Sequence, residues 1–188
     1  MGSLAVVTRR IIVSGLVAGL VGISTTSAAP AMDTPRLAGT WTLVAADVVH
    51  PDGSRTSDYG AAPKGLFLID SQGRYSLQIF SSERPRFASG DRAKGSDGEY
   101  KAAAMGSSTH FGTLKVNAAS GELIFTITAA SFPNWEGQEQ RRHYELKDNV
   151  LSYRVAPRPN GDVPLSVWRR LDSAGGDQPK SQQRQPAQ

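Results

Sequence analysis

Hydrophobic and polar side chains alternate along most of the middle of the chain. The alternation has a period of two, which predicts β-strands with one buried face. It is clearest at residues 40–45, 74–79, 122–127 and 151–155. In the first of these stretches we expect Trp41, Leu43 and Ala45 to share the buried face.

Short polar turns separate the alternating stretches. Ser71-Gln72-Gly73 joins residues 66–70 to residues 74–80 as a tight hairpin, in which the glycine suits a left-handed position. Similar turn sequences occur at residues 51–53, 118–121, 148–149 and 159–162. The pattern predicts eight strands in sequential hairpins, and such a sheet hides its edges by closing on itself. We therefore predict an all-β fold, an eight-stranded antiparallel up-and-down barrel, with a two-sheet sandwich as the alternative.

One long connection, from Ser81 to Ser108, interrupts the series of hairpins. Its first part, residues 81–95, is polar and basic, and it is either a solvated surface loop or a lid that faces an anion or a partner. Ser96 and Glu99 have capping-box spacing ahead of a run of helix-forming residues. We predict one short helix there.

The start of the chain has the features of a secretory signal peptide. Arg9 and Arg10 precede a short apolar run at residues 11–23, and small residues follow. The arginine pair fits either a twin-arginine signal or an ordinary Sec signal, and both routes lead to the periplasm or the outside of a bacterial cell. The apolar run is too short to span a bilayer as a permanent helix, so we expect no stable membrane insertion once it is removed. The predicted divisions are a signal peptide at 1–31, the barrel at 32–171 and a disordered tail at 172–188.

Composition narrows the possible functions. The 188 residues include no cysteine, which excludes disulfides, thiolate metal sites and cysteine nucleophiles. The chain has 21 basic and 17 acidic residues, and the predicted signal peptide contains two of the basic ones. A nearly neutral domain argues against nucleic-acid binding, which needs clustered positive charge. We therefore predict no nucleic-acid partner, and the sequence gives no indication of an oligomeric state.

Motifs at both ends of the predicted barrel are shared with a known family. The first strand begins with a Gly-x-Trp motif at residues 39–41, and the last ends with an arginine pair at residues 169–170. A Pro-Asn-Trp-x-Gly block occupies residues 133–137 and is followed by Arg142. In this order the motifs resemble the bacterial and fungal lipocalin-like domain family, and the resemblance covers residues 36–171.

The resemblance implies a lipocalin-type barrel with a ligand cup, whose closed end is plugged by the closing arginine packed across the opening tryptophan. Family spacing selects Arg170, rather than Arg169, as the cation–π partner of Trp41. Members of the family often carry a histidine shortly before the Pro-Asn-Trp block, where this chain has Thr126 and Thr128. The resemblance therefore implies a fold and a cup more than a reaction.

No complete catalytic or metal-binding motif occurs in the sequence. Nucleophile elbows and Gly-rich phosphate loops are absent. His50, His110 and His143 each lack a second ligand at metal-site spacing, and we expect them to be dispersed on the surface or along strands. His143 and Glu145 share a strand face, which could orient a base but is also explained by exposed strand polarity. We predict no catalytic residues, no metal and no cofactor.

The candidate ligand-binding residues follow from the alternation and the resemblance together. An apolar interior with a few placed polar groups is typical of small-molecule sites. The candidates are Tyr75, Leu77, Phe125, Ile127 and Tyr153 in the cup, with Trp135 and Arg142 near the mouth. Arg142 either meets a ligand carboxylate while Trp135 stacks on the ligand, or it pairs with a carboxylate of the barrel while Trp135 packs as a lid.

These observations predict an exported protein that binds a small, largely apolar molecule in the barrel cup. One alternative is an isomerase or cyclase, which would need at least two titratable groups converging inside the barrel. The other is a ligand-free envelope interaction protein, with a filled barrel and an exposed apolar patch.

Overall fold

Antiparallel strands dominate the structure, a computed structural model that describes residues 34–171. The predicted signal peptide and tail lie outside the described residues. Within them the strands are Gly39–Val49 (β1), Arg55–Ser57 (β2), Lys64–Ile69 (β3), Arg74–Phe80 (β4), Ser107–Asn117 (β5), Glu122–Ala130 (β6), Glu139–Lys147 (β7), Val150–Arg154 (β8) and Val163–Arg170 (β9). The helices are Thr34–Leu37 (α1) and Asp97–Met105 (α2), with 3₁₀ turns at Arg92–Lys94 and Pro133–Trp135.

Eight of these strands close into a barrel. From β3 to β9 each strand pairs antiparallel with the next, β1 pairs with β3, and β9 returns to pair with β1 from Trp41↔Arg170 to Val49↔Val163. The short β2 pairs only with the far end of β1, at Asp47–Val49. The closing β1–β9 pair confirms the predicted up-and-down barrel and excludes the sandwich alternative.

The two ends of the barrel differ in the length of their connections. Tight turns at residues 70–73, 118–121 and 148–149 lie at the end where β1 begins, which we call the closed end. Gly73 has a φ of 78° there, as its predicted left-handed position requires. The longer connections, including the one at residues 81–106, lie at the opposite end, which we call the mouth.

A β-bulge corrects the predicted face assignment in β1. Leu43 pairs with Trp168 and Ala45 pairs with Val167, so that Val44 is an extra residue in the strand. Such an insertion reverses the faces of all later side chains. Trp41 is fully buried as predicted, but beyond the bulge Ala46 and Val48 are buried, and the assignment of Ala45 to the core face was wrong.

The closed half of the barrel is filled by aromatic side chains. Phe67 lies at its centre, with ring centroids 5.5 Å from Trp168 and 6.1 Å from Phe125. The Tyr75 ring meets Phe125 edge-on at 5.0 Å. This cluster leaves the mouth half as the part of the barrel where a ligand has room.

Arg170 lies across the bottom of this cluster. Its guanidinium is 4.1 Å from the Trp41 ring, and it donates hydrogen bonds to the backbone carbonyls of Ala38 and Arg36. The Trp41 indole in turn donates to the Leu37 carbonyl at 3.0 Å. The arginine therefore ties the segment before β1 to the end of β9.

The predicted helix is confirmed as α2. The Ser96 side chain accepts from the Glu99 backbone N–H, and the Glu99 carboxylate accepts from the Ser96 backbone, which completes the capping box. Phe87 in the preceding loop packs edge-on against Tyr100 of the helix, with centroids 5.4 Å apart. Neither α1 nor α2 has the length and apolar character needed to cross a membrane.

Substitution of Arg170 tests the closure of the barrel. We expect Arg170→Ala to lower the free energy of unfolding by about 2–3 kcal/mol, because it removes one cation–π contact and two hydrogen bonds to carbonyls. Arg169→Ala is the matched control, since this neighbouring side chain is exposed, and it should change stability by less than about 0.5 kcal/mol. Equal effects of the two substitutions in urea-unfolding measurements would show that Arg170 does not close the barrel.

Candidate functional site

A cavity of about 230 Å³ lies in the mouth half of the barrel, above the aromatic cluster. We call it the inner cavity. Its wall combines aliphatic, aromatic and polar side chains from β4, β5, β7 and β8, together with the turn after β6. The main contributors are Leu77, Ile79, His110, Trp135, Arg142 and Tyr153.

The structure divides the predicted ligand-binding residues into two groups. Leu77, Trp135, Arg142 and Tyr153 line the inner cavity. Tyr75, Phe125 and Ile127 face the barrel interior but are buried in the core beside the cavity, outside its lining. The second group therefore forms the floor beneath the site. Tyr75 contacts His110, which lines the inner cavity, but it does not line the cavity itself.

Arg142 is the central charged group of the site. Alternation along β7 directs the Arg142 side chain into the barrel, and the residue is 5% exposed. Its guanidinium lies 4.2 Å from the Phe125 ring centroid and 5.1 Å from that of Tyr153. Nη2 donates to Gln140 Oε1 at 2.8 Å and approaches His110 Nε2 at 3.3 Å. The Nε–H group is buried and has no hydrogen-bond partner among the described residues.

Arg142 forms no ion pair with any carboxylate of residues 34–171. The nearby acidic side chains pair with its neighbour instead, since the outward-facing Arg141 contacts Glu139 at 2.8 Å and Glu122 at 3.5 Å. A buried cation without a counter-charge costs several kcal/mol, which two aromatic faces offset only in part. The second interpretation of Arg142, pairing with a carboxylate of the barrel, was therefore wrong.

The sequence reasoning missed several residues of this site, including Ile79, Gln140 and, above all, His110. His110 is 4% exposed, and its Nδ1 lies 2.8 Å from the Tyr75 hydroxyl oxygen. The sequence predicted a dispersed surface or strand histidine. That prediction overlooked the spacing of His110, which stands four and six residues before the buried Leu114 and Val116. Even spacing along one strand places all three side chains on the same face.

Burial keeps His110 uncharged. Burial, and secondly the nearby Arg142 cation, lower the pKa of His110 from its model-compound value to about 3. Arg142 can only donate, so Nε2 of the neutral ring accepts and Nδ1 carries the hydrogen that is donated to Tyr75. Burial also raises the pKa of the Tyr75 hydroxyl. At neutral pH Arg142 is thus the charged member of this three-residue network.

A glycine allows β5 and β6 to hold His110 in this position. The register between these strands shifts at Phe111/Gly112, where β6 contains one extra residue. A Cβ on Gly112 would overlap the backbone carbonyl oxygen of Thr126, so the close approach of the two strands requires glycine. The bulge brings Ala130 opposite His110, next to the turn that carries Trp135.

Trp135 covers part of the inner cavity from the mouth side. The 3₁₀ turn Pro133–Trp135 is held by a hydrogen bond from the Ala130 backbone N–H to the Glu136 carboxylate at 3.2 Å. The half-buried indole meets His110 edge-on at 6.0 Å, and the 48% exposed Phe132 ring lies 5.5 Å from it.

The remaining candidates lie outside the inner cavity. His143 and Glu145 are exposed on the outer face of β7. His50 lies at the mouth, where Nδ1 contacts Asp162 at 2.8 Å and Nε2 contacts Thr56 at 2.9 Å. No residue of the basic loop at 81–95 lines the inner cavity.

Comparison with known proteins agrees with this architecture. A family model described as a lipocalin-like domain matches residues 38–170. Among solved structures, a mutant of the fluorescent protein UnaG is similar, at 15% identity and a TM-score of 0.35, over 73% of this chain and 97% of that one. At that identity and TM-score, the likeness supports no conclusion about a ligand. No curated protein sequence matches the chain significantly.

The pH dependence of stability tests the burial of His110. Since its folded-state pKa lies below the unfolded value, acid protonates the unfolded chain first, and stability falls as the pH drops from about 6.5 towards 3. In this pH range His110 alone changes the free energy of unfolding by up to about 1.4 kcal/mol per pH unit. We expect His110→Gln to lose that part of the slope in urea titrations, whereas His143→Gln should keep it. An unchanged slope in His110→Gln would contradict a buried, neutral imidazole.

Proposed function

Because the chain belongs to the lipocalin-like domain family, we propose that it binds a small, largely apolar acid in the inner cavity, with the anionic group of the ligand against Arg142. The observation that carries this proposal is the buried guanidinium without a counter-charge. An anionic ligand would supply the missing charge.

The geometry of the guanidinium suits a carboxylate. Charge-assisted N–H···O bonds are the strongest contacts between arginine and a carboxylate. Nη2 is already engaged with Gln140 and His110, which orient the planar group within the cavity. Phe125 and Tyr153 hold it from the side by ring contact. The ligand would therefore meet a pre-oriented cation.

The rest of the inner cavity suits an apolar body. Leu77, Ile79 and Val155 supply aliphatic surface, and the Trp135 indole supplies a flat face at the mouth. Ligand sites typically combine such surfaces with a few polar anchors. At about 230 Å³ the inner cavity is smaller than the roughly 300–1,000 Å³ of sites for drug-sized molecules, so it would hold only a compact group.

Binding accounts for the site better than acid–base catalysis does. Three titratable groups do converge inside the barrel, as the isomerase or cyclase hypothesis requires. The pKa shifts of His110 and Tyr75, however, both lead away from neutrality, and proton transfer is most efficient when the pKa lies near the working pH. The ligand-free alternative predicts a filled barrel, which the inner cavity argues against.

We also propose that the protein acts outside the cytoplasm, on the basis of the signal-like residues 1–31. Cell fractionation of a bacterial host that expresses the full chain should recover a shortened form in the periplasm or medium. The Arg9→Lys/Arg10→Lys double variant should stop this export if the twin-arginine route is used and leave it intact if the Sec route is used. Recovery of only the uncleaved wild-type chain in the cytoplasm would contradict export.

Substitution of Arg142 tests the proposed anchor. We expect octanoic acid to raise the melting temperature of the full chain more than octanol does, because only the acid pairs with the guanidinium. Arg142→Met should weaken acid binding about 10- to 100-fold and remove the preference for the acid. The stability of the free variant should be unchanged or higher, since an apolar side chain replaces an uncompensated buried charge.

Arg154→Met is the matched control for this substitution. Arg154 is exposed on the adjacent strand β8 and lies outside the inner cavity. This variant should bind the acid as the wild-type chain does. If Arg142→Met retains acid binding, the anchor is elsewhere, and if it loses several kcal/mol of stability without ligand, Arg142 is a structural residue.

A further inference from the structure

The barrel wall has a gap between β7 and β8 near the mouth. These strands pair from Lys147↔Val150 only as far as His143↔Arg154. Nearer the mouth, residues 139–142 of β7 pair with β6 alone, and the Val155 N–H donates to the Pro164 carbonyl, so the chain after β8 follows β9 instead. The two neighbouring strands therefore separate and leave an opening in the side of the barrel.

A second cavity, of about 440 Å³, occupies this gap. We call it the outer cavity. It shares four lining residues with the inner cavity, so the two spaces are neighbours. Its lining consists of Trp135, Glu139, Gln140, Arg141, Val155 and Ala156. The four shared residues are Trp135, Gln140, Val155 and Ala156.

The charges along this path differ between its inner and outer parts. Arg142 at the inner end has no counter-charge among the described residues, whereas Arg141 at the outer end is paired with both Glu139 and Glu122. Between them Trp135, Val155 and Ala156 present apolar surface. The path therefore offers a cationic anchor inside and a largely apolar exit without excess positive charge.

The axial mouth suits an apolar chain less well. Arg158 donates to the Asp58 carboxylate at 2.6 Å, which joins the connections before β3 and before β9. Both residues also line the inner cavity. An apolar group that left along the barrel axis would have to pass or desolvate this ion pair, which costs free energy. The outer cavity also has an ion pair in its lining, Arg141–Glu139, but both of these side chains are about half exposed, whereas Asp58 is 24% exposed, so a tail can leave the outer pair hydrated.

From these features we infer that the ligand is an amphipathic acid longer than the inner cavity, and that its apolar tail leaves the barrel sideways between β7 and Val155–Ala156. This inference rests on the proposed function, because Arg142 must hold the acidic end. The inner cavity alone is below the usual volume of a site for a drug-sized molecule, and the outer cavity brings the available space into that range.

A chain-length series of fatty acids tests the side opening. Calorimetric titration of the full chain with octanoic, dodecanoic and hexadecanoic acid should show affinity that increases with length, because each added methylene buries more apolar surface. Glu139→Trp fills the outer cavity from an exposed position that does not line the inner cavity, and Arg141 keeps its contact with Glu122. This variant should bind octanoic acid within about twofold of wild type and hexadecanoic acid at least about tenfold more weakly.

The control is the same substitution elsewhere on β7. Glu145→Trp changes an exposed glutamate on the outer face of that strand that lines neither cavity, and it should bind both acids as the wild-type chain does. Near-ultraviolet circular dichroism checks that each variant is folded, and Glu139→Phe replaces Glu139→Trp if the latter is not.

The possible results separate the two proposals. If the wild-type chain binds octanoic acid but rejects hexadecanoic acid, or if filling the outer cavity leaves hexadecanoic acid binding unchanged, the side opening is wrong and the Arg142 anchor stands. Equal weakening of both acids in Glu139→Trp also overturns the side opening, since it shows an effect on the inner cavity. If the wild-type chain binds none of the acids, the proposed function itself is wrong.

Discussion

The pairing of β1 with β9 is the interaction on which the rest of the structure depends. It turns a row of hairpins into a closed wall, so that every strand between them has a face directed at a common interior. Arg170 seals this seam at one end by stacking on Trp41 and binding the carbonyls before β1. With that end shut and filled by aromatic rings, the space for a ligand and the polar groups that face it lie together in the other half.

Within that half, the free energy of the site is dominated by one uncompensated charge. Arg142 faces inwards and has no ion pair among the described residues, while Arg141 faces outwards and pairs with Glu122 and Glu139. The buried guanidinium is oriented by Gln140, His110 and two rings, none of which carries a negative charge at neutral pH. Such an arrangement lowers the stability of the free protein and favours whatever anion enters.

Local patterns in the sequence account for the barrel but not for the site. Alternation and turn residues predict the strands and hairpins because these depend on neighbours close in the chain. The β1 bulge at Val44 escapes that reasoning, since it reflects pairing with β9, over a hundred residues away. For His110, only the even spacing to Leu114 indicated an inward side chain. The unpaired state of Arg142 and the gap beside β7 depend on strand lengths and partners that are set by the whole barrel.

The ionisation of a bound ligand tests the central claim most directly. Dodecanoic acid that is isotopically labelled at its carboxyl carbon can be titrated by nuclear magnetic resonance while bound to the full chain. If the carboxylate pairs with the buried Arg142 guanidinium, its pKa should fall well below the value of about 4–5 usual for such acids, and the bound resonance should stay that of the anion through mild acid. A bound carboxyl group that titrates at or above its usual pKa would show that no such pair forms and would contradict the account.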